Sequence, residues 1–570
     1  MKKRNLISLC FVLLAIIIGC SDEFTESPAV GALSDDALAN DTGVDLLLTG
    51  AYSSLNAVSA NGFGNGWGRA ADNWWIDALS DDAHKGSTND DQADLAAIEL
   101  MNWSSNNGYF FARWGELFTL VNRSNAVIAL INSLENSGDF GDQLAQARFL
   151  RGVANYQLQV MYGNVPFVSA ENYAASEFNQ PNSGPIWNEV EADFQYGADN
   201  LPASRDAGNV GRPTSWTAKA FLGRAHMHQS DWGTALTVLQ DVINNGPYAL
   251  LPEFGDNFRL AGENGTESVF QIQFTTDSGQ SFNANQVGAL NFPNPGPFGS
   301  CCGFYQPTQD LLNAFQTDAN GLPLLDTYNQ SDVNSDWGLL EGDAFTPFAG
   351  NLDPRADYTV GRRGIDYNGY GEHIGDPWIR AKFANNDISG PYLPKKNVYQ
   401  ASEAGTQQAT GAWGQQLSGV NYNMLRFADV MLLAAEAAVE SGDLATGLNY
   451  VNQIRNRAKN STYIQATDGS GDAANYVIEP YASFPDADYA RRAVRFERRL
   501  ELGMEGHRLF DLRRWGVSQE VLTEYFTNEA RTIPGFGALV NPYEPKHDLF
   551  PIPIGAIDLS TGALTQNPGY

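Results

Sequence analysis

The chain has 570 residues with 66 acidic and 35 basic side chains, for a formal charge of −31. That balance excludes nucleic acid as a partner, because phosphate binding needs a cationic surface, and it disfavours strongly anionic polysaccharides unless a local basic patch at Arg362, Arg363, Lys395 and Lys396 overrides the field of the whole molecule. Neutral ligands fit better, and since no Pro/Ser-rich linker divides so long a chain, one large body with long insertions is the simplest organisation.

The N-terminus reads as an export signal. Lys2, Lys3 and Arg4 precede an apolar run from Leu13 to Ile18 that is too short to span a bilayer, and Gly19-Cys20 follows. Ile17-Ile18-Gly19-Cys20 resembles a bacterial lipobox, which implies removal of residues 1–19, lipidation of Cys20 and a tether over 20–28. Each buried methylene adds about 0.8 kcal/mol of membrane affinity, so a multiply acylated cysteine anchors firmly. Cys10 leaves with the leader, so Cys301 and Cys302 are the remaining thiols in a disulfide-permissive compartment. Adjacent α-carbons lie about 3.8 Å apart, below the usual disulfide range. Two readings stay open: a strained vicinal disulfide that stiffens the loop 296–305, or two free buried thiols. Zinc is not expected, because no Cys or His pair with ligand spacing lies nearby.

Apolar residues recur at helical spacing from Thr42 to Leu55, and a Gly/Asn/Trp-rich loop follows over 61–73. Helical patterns then dominate to about residue 245, including one from Trp114 and one from Asp142 that stops at Gly163 before Pro166. Between Trp216 and Pro247, the positions Leu222, Gly223, Ala235, Leu239 and Pro247 approximate a tetratricopeptide helix pair. A weaker copy runs through Ala428, Ala435, Gly447, Val451 and Ile454. Such pairs stack into a continuous core, although ordinary helical hairpins explain the periodicity equally well. From about 250 to 420 the texture changes to short strands such as 268–274, turns and many aromatics, the kind of loops that carry recognition on a rigid scaffold. Helical spacing returns over 425–444.

The densest segment is 495–516, RFERRLELGMEGHRLFDLRRWG. Glu497, Glu501 and Glu505 recur every four residues and would stack on one helix face, where like charges cost a few tenths of a kcal/mol per pair. Arg498, Arg499 and Arg508 are the expected counter-charges, and Leu500, Met504, Leu509 and Phe510 add apolar surface. The segment reads as a charged helix packed inside the protein with its ions paired.

This run resembles the SusD/RagB family, the surface glycan-binding lipoproteins of Bacteroidetes outer membranes. Trp114, Asn122, Asn125, Arg148, Leu150, Arg151, Tyr156, Tyr162, Gly163, Val165 and Pro166 extend the resemblance. So do Arg426-Phe427-Ala428-Asp429, the Pro551-Ile552-Pro553 triplet and the terminal Gln566-Asn567-Pro568-Gly569-Tyr570. It covers nearly the whole mature chain and is weakest over 255–420. The resemblance implies a mainly α, SusD-like fold of tetratricopeptide-type helical pairs with a long irregular, short-strand insertion over 255–420. An N-terminal helical region would occupy 29–245 and a C-terminal SusD/RagB region 246–570. It also implies a lipid-anchored protein of the outer-membrane surface, with Ser21, Asp22 and Glu23 resembling sorting and export signals. Its partners would be a polysaccharide or oligosaccharide and a SusC-like TonB-dependent transporter.

Sugars present apolar C–H faces and rings of hydroxyls, so a site for them needs flat aromatics beside amides and carboxylates. In the family the early loop and the long insertion form the ligand surface. The candidates are therefore Phe63, Asn65, Trp67, Trp75, Asp81, His84 and Lys85, joined by Phe304, Tyr305, Trp337, Tyr370 and Trp378. Trp67 and Phe63 stand out, because nothing in their glycine-rich surroundings requires large aromatics. Catalysis is not expected. Among 66 acids a pair at glycosidase spacing arises by chance, Glu497 and Glu501 read as arginine-neutralised, and neither a nucleophile elbow nor His-Glu-x-x-His occurs. No cofactor is expected. Asp332, Asn334 and Asp336 alternate like a calcium loop, but Trp337 stands at the glycine position, which favours an Asx-rich turn over structural calcium. The expected function is non-catalytic capture of a neutral glycan, a β-glucan such as laminarin, and its delivery to the transporter. A glycan hydrolase or lyase and a protein-docking lipoprotein are the alternatives.

Overall fold

Side-chain caps start the long helices. Asn107, Thr214, Asp231, Asp443 and Asp486 each accept a backbone N–H of the turn that follows. The computed structural model describes residues 38–57, 63–276, 281–299, 301–380 and 388–570; the expected leader 1–19, lipidated Cys20 and tether 20–28 lie outside the described residues. Two compact units are distinguished, 1–46 and 47–570. Of the first, residues 38–46 are described and contain the start of helix α1, Asp41–Ser53.

The longer helices of the second unit are α2 (Gly108–Ser133), α3 (Gly141–Tyr162), α4 (Trp187–Asn200), α5 (Ser215–His228), α6 (Trp232–Asn245), α7 (Phe427–Glu440), α8 (Leu444–Asn460), α9 (Ala487–Leu502), α10 (Arg508–Arg514) and α11 (Ser518–Thr532). From α2 to α8 each packs against the next, and α9 lies on α7 and α8. The two pairs expected from the sequence are α5–α6 and α7–α8. Although far apart in the chain, they stack directly, α6 on α7. A Cβ at Gly223 would come within 2.6 Å of the Leu239 side chain, and one at Gly447 within 2.6 Å of Val439, so glycine is what permits the close approach within each pair. The fold is mainly α, as the helical spacings predict.

Among the described residues the strands are short: β1 (Ala83–Gly86) comes before the insertion, β2 (Ser268–Ile272), β3 (Phe304–Pro307), β4 (Val360–Gly361), β5 (Leu393–Pro394), β6 (Gln408–Thr410) and β7 (Gln416–Ser418) lie within it, and β8 (Tyr422–Arg426) follows it. They form two-stranded antiparallel sheets, β1–β3, β2–β8, β4–β5 and β6–β7. In β2–β8, Ser268 lies opposite Arg426, which brings Glu267 to the arginine.

The charged run is buried, but its pairing differs from the expectation. Arg426 donates to Glu267 (2.9 Å), Glu501 (2.6 Å) and Glu505 (2.8 Å). Arg355 meets Glu497 and Glu501 at 2.8 and 2.9 Å, Arg455 meets Glu497 at 2.8 Å, and Arg457 holds Glu267 at 2.9 Å and also Glu501. Lys396 reaches Glu505 at 2.7 Å. The counter-charges thus come from other segments. Arg498 pairs with Asp429 and Asp511, Arg499 with Asp82 and Asp310, and Arg508 with Asp81. Arg499 stands two positions from both Glu497 and Glu501 and so points away from the glutamate face, Arg508 lies beyond the end of α9, and Arg498, three positions before Glu501, turns instead to Asp429 and Asp511. Glu505 is a second correction, since α9 ends at Leu502 and only Glu497 and Glu501 share the helix.

Burial works against charge on Glu501, yet Arg457, Arg426 and Arg355 outweigh it and hold its carboxyl well below the usual range. Removing one partner from such a network leaves an uncompensated buried charge. We therefore expect Arg426→Met to lower unfolding free energy by about 3–5 kcal/mol, read from chemical denaturation.

A second buried triad joins β1 to α11: His84 Nδ1 lies 2.8 Å from Glu99 and Nε2 lies 2.8 Å from Glu529. Burial opposes the imidazolium, but hydrogen bonds to Glu529 and Glu99 prevail and raise the pKa to about 9. With the folded pKa above the unfolded value of about 6.5, this stabilisation is complete below the unfolded pKa and is lost as pH rises through the folded one. Comparison of the wild type with His84→Gln from about pH 6 to about pH 10 should show the stability difference moving against the wild type by on the order of 1 to 3 kcal/mol. A pH-independent difference would contradict a charged His84.

Candidate functional site: an aromatic ledge beside a hairpin

The glycine-rich loop after residue 62 crosses the start of α2. Gly66–Arg69 forms a single 3-10 turn capped by Asn65, whose side chain accepts from Trp67 N–H at 3.2 Å and donates to Gln92 at 2.9 Å. A Cβ at Gly68 would lie 2.6 Å from the Tyr109 backbone, so the loop sits flat on the helix. Beneath it, fully buried Trp75 donates from Nε1 to the Gly68 carbonyl at 3.1 Å and stacks on Phe550.

This framework presents Trp67 sideways. Half-buried, it packs on Ala284, Ala289, Ala409 and Leu417, and its ring meets Trp413 edge-to-face at 6.2 Å. Trp413 occupies the turn of the β6–β7 hairpin and is 54% exposed. Phe282, two residues before Ala284, is 76% exposed. Amides line the hairpin: Gln408 and Tyr399 both donate to Gln416, at 2.7 and 3.2 Å.

Through Tyr399 the hairpin joins a second aromatic group. Half-buried Phe298, Tyr370 and Trp378 surround buried Phe292, Tyr367 and Tyr399. Phe298 lies 4.9 Å from Tyr370 and 5.8 Å from Tyr399, and Trp378 lies 6.0 Å from Tyr367. Burial pushes the Tyr370 phenol up to about 12, with Glu403 adding to it. Cys301 and Cys302 are joined as a disulfide, and the N–H groups of Cys302 and Gly303 both donate to the Phe292 carbonyl, at 3.2 and 2.8 Å. Residues 301–303 are thereby fastened to this group.

Of the residues singled out by sequence, Trp67, Tyr370 and Trp378 are brought to these two surfaces. Trp337 is half-buried on another loop, where its N–H donates to Ser335 at 3.1 Å. Six candidates are corrected, because each is buried and already engaged. Besides Trp75, these are Asp81, paired with Arg499 and Arg508; His84, between its two glutamates; Lys85, donating to the carbonyls of Gly86, Thr88 and Asp91; Phe304, under the Lys85 ammonium at 4.9 Å; and Tyr305, donating to Asp77 at 2.6 Å. Asn65 serves as the cap. Phe63 turns away from Trp67 onto Phe111 and lines a separate apolar groove of about 490 Å3 with Trp114, Phe118, Phe178 and Leu559. The anticipated basic patch also dissolves: Arg362 pairs with Asp357, Lys395 donates to the carbonyls of Asp357 and Asp366, Lys396 is in the ion network, and Arg363 donates to the carbonyls of Leu340, Glu341 and Asp343.

Trp413 and Phe282 are not among the residues the sequence singles out, and Phe298 enters only as part of the loop 296–305, although Trp413 carries the same signal as Trp67, a lone tryptophan between glycines at 411 and 414. Asp332 accepts from Asn313 and Asn334 donates to the Thr346 carbonyl, both at 2.8 Å. Among the described residues no group of His, Cys, Asp or Glu is placed to hold a metal.

Comparison with known proteins gives a consistent picture. A model described as the SusD family matches residues 266–570, and one described as starch-binding and associating with the outer membrane matches residues 46–227. SusD-like protein P2 of Formosa agariphila is 24% identical over 593 aligned positions, covering 100% of each chain. A SusD-like carbohydrate binding protein from Bacteroides fragilis superposes with a TM-score of 0.68 at 21% identity, over 92% of this chain and 99% of that one. Surface glycan-binding protein A from Bacteroides thetaiotaomicron, in complex with laminarihexaose, gives 0.61 at 18% identity, over 92% and 99%. Since the family match alone runs through more than half of the sequence and takes in the whole buried arginine–glutamate network, this chain belongs to the SusD family.

Proposed function

We propose that this chain is a non-catalytic, lipid-anchored glycan-binding protein of the outer-membrane surface. It captures a neutral oligosaccharide on the ledge of Trp67 and Trp413 and passes it to a SusC-like TonB-dependent transporter. One observation carries the reading: a tryptophan 54% exposed, held edge-on against a second one beside a row of amides. Leaving such a ring in water is unfavourable unless a ligand covers it. A sugar ring offers the matching C–H face, and the exposed amide of Gln408 suits its hydroxyls. Phe282, Tyr370 and Trp378 would extend the surface along a longer chain. The ligand we favour is a β-glucan such as laminarin, supported by a family relative of the same fold that holds laminarihexaose.

Binding must be moderate, because too tight a grip would slow release to the transporter. Glu497 and Glu501, fully buried and locked on arginines, are in no position to exchange protons with a glycan. Anchoring would come from acyl chains on Cys20; among the described residues no helix is long and apolar enough to cross a membrane. For the transporter, the groove beside Phe63 is a suitable docking surface, since Phe178 and Leu559 stand 49% and 67% exposed at its edge.

Affinity gels containing a panel of neutral polysaccharides should retard the protein without release of new reducing ends. Trp413→Ala, whose ring is largely in solvent, should leave stability within about 0.5 kcal/mol while weakening glycan affinity about tenfold or more. Unchanged affinity in both Trp413→Ala and Trp67→Ala would remove the ledge as the site, and turnover of any glycan would replace binding with catalysis. A Phe178→Asp/Leu559→Asp variant should lose co-purification with the transporter while keeping its glycan affinity.

A further inference from the structure

A second recess lies between α9, α10 and α11, a cleft of about 210 Å3 with different chemistry from the ledge. In a chain of net charge −31 its wall carries Arg492, Arg495 and Arg508, set among Phe496, Trp515 and Tyr328, and includes one exposed acid, Glu524, which accepts from Asn329 at 2.7 Å. Helical spacing explains the concentration, because positions 492, 495, 496 and 499 of α9 share one face.

The arginines are not equally engaged. Arg499 at the floor is consumed by Asp82 and Asp310, and Arg508 directs Nε and Nη2 to Asp81. Arg495 is different. Its carboxylate neighbour, Glu440, stands 3.8 Å away, and its buried Nε has no hydrogen-bond partner. Burial accordingly pulls its pKa down. Arg492 meets Asp326 at 3.3 Å, with both side chains about half or more in solvent. The Trp515 ring is already engaged, with the Arg495 guanidinium over it at 4.8 Å, that of Arg514 at 5.0 Å and its Nε1 donating to Glu436 at 2.7 Å; the flat apolar surface beside the cations is half-buried Phe496, which packs edge-to-face on Tyr328 at 5.4 Å.

We propose that this cleft binds a carboxylate-bearing sugar, a hexuronate unit, with its carboxylate on Arg495 and Arg492 and its C–H face against Phe496. A guanidinium fork matches a carboxylate in geometry and charge. A neutral hexose offers only hydroxyl acceptors, without the charge that makes a guanidinium contact strong. The whole-molecule field repels anions at a distance, so selection rests on this local pair. The carbohydrate part of the inference rests on the proposed glycan function; the carboxylate part rests on the arginines alone.

The test is titration of the full mature chain at low ionic strength with sodium glucuronate, glucose and sodium acetate, followed by calorimetry or ligand-observed NMR. Saturable glucuronate binding is expected, with acetate weaker and glucose absent from the cleft, and it should weaken as salt is raised. Arg495→Gln and the half-exposed Arg492→Gln should each lower glucuronate affinity about tenfold or more, while Trp413→Ala leaves it unchanged. The inference is overturned if folded protein shows no saturable glucuronate binding, if both arginine variants bind as the wild type does, or if Trp413→Ala abolishes binding and so moves the ligand to the ledge. Acetate binding as tightly as glucuronate would overturn the sugar assignment. Loss of neutral-glycan retardation with glucuronate binding intact would count against the ledge and not against the cleft.

Discussion

Arg426 is where the second unit is locked together. Its guanidinium sits out of water between Glu267, Glu501 and Glu505, which belong to the segment leading into β2, to α9 and to the turn beyond it. Arg355, Arg455, Arg457 and Lys396 close the set from two loops and from α8. Each of these charges is costly to bury alone. Only one register of β8 against β2, and one depth of α9 against α7 and α8, leaves none of them orphaned. The network therefore fixes where the helical pairs end and where the insertion re-enters, beyond what apolar packing alone would specify.

That rigidity matters because the ledge is made of pieces with little structure of their own. The loop that carries Trp67 is a single 3-10 turn, and the hairpin that carries Trp413 is two strands of three residues, short of what stands alone in water. They are held by what lies beneath: the backbone of α2 under Gly68, the Trp75 indole under the loop, and the alanines and Leu417 between the two parts. Burial of Trp75, His84 and Lys85 is part of the same support, since the segment from 74 to 86 runs from beneath the loop into β1.

Much of the scaffold was legible in the sequence. Apolar spacing located α2, α3, α5, α6, α7 and α8, and the small residues Gly223 and Gly447 marked where helices touch. The partners of the charged run were not legible, because an alternation of Arg and Glu along α9 says that ions are paired but not with which distant segment. Periodicity also carried Glu505 one turn too far, since a glycine at 503 ends the helix. At the candidate site, composition marked Trp67 and Trp75 alike, and only the tertiary packing decides which ring faces inward. Trp413 escaped notice because its hairpin lies where the family resemblance is weakest.

The β6–β7 hairpin runs from Gln408 to Ser418, and the turn at its tip makes few demands on the body below it. A span of eleven codons therefore encodes half of the tryptophan pair without encoding any member of the charge lattice. On the proposed reading, exchange of the exposed tip of that cassette would retune which saccharide is accepted while the charge lattice stays as it is, a short route for selection toward new diets.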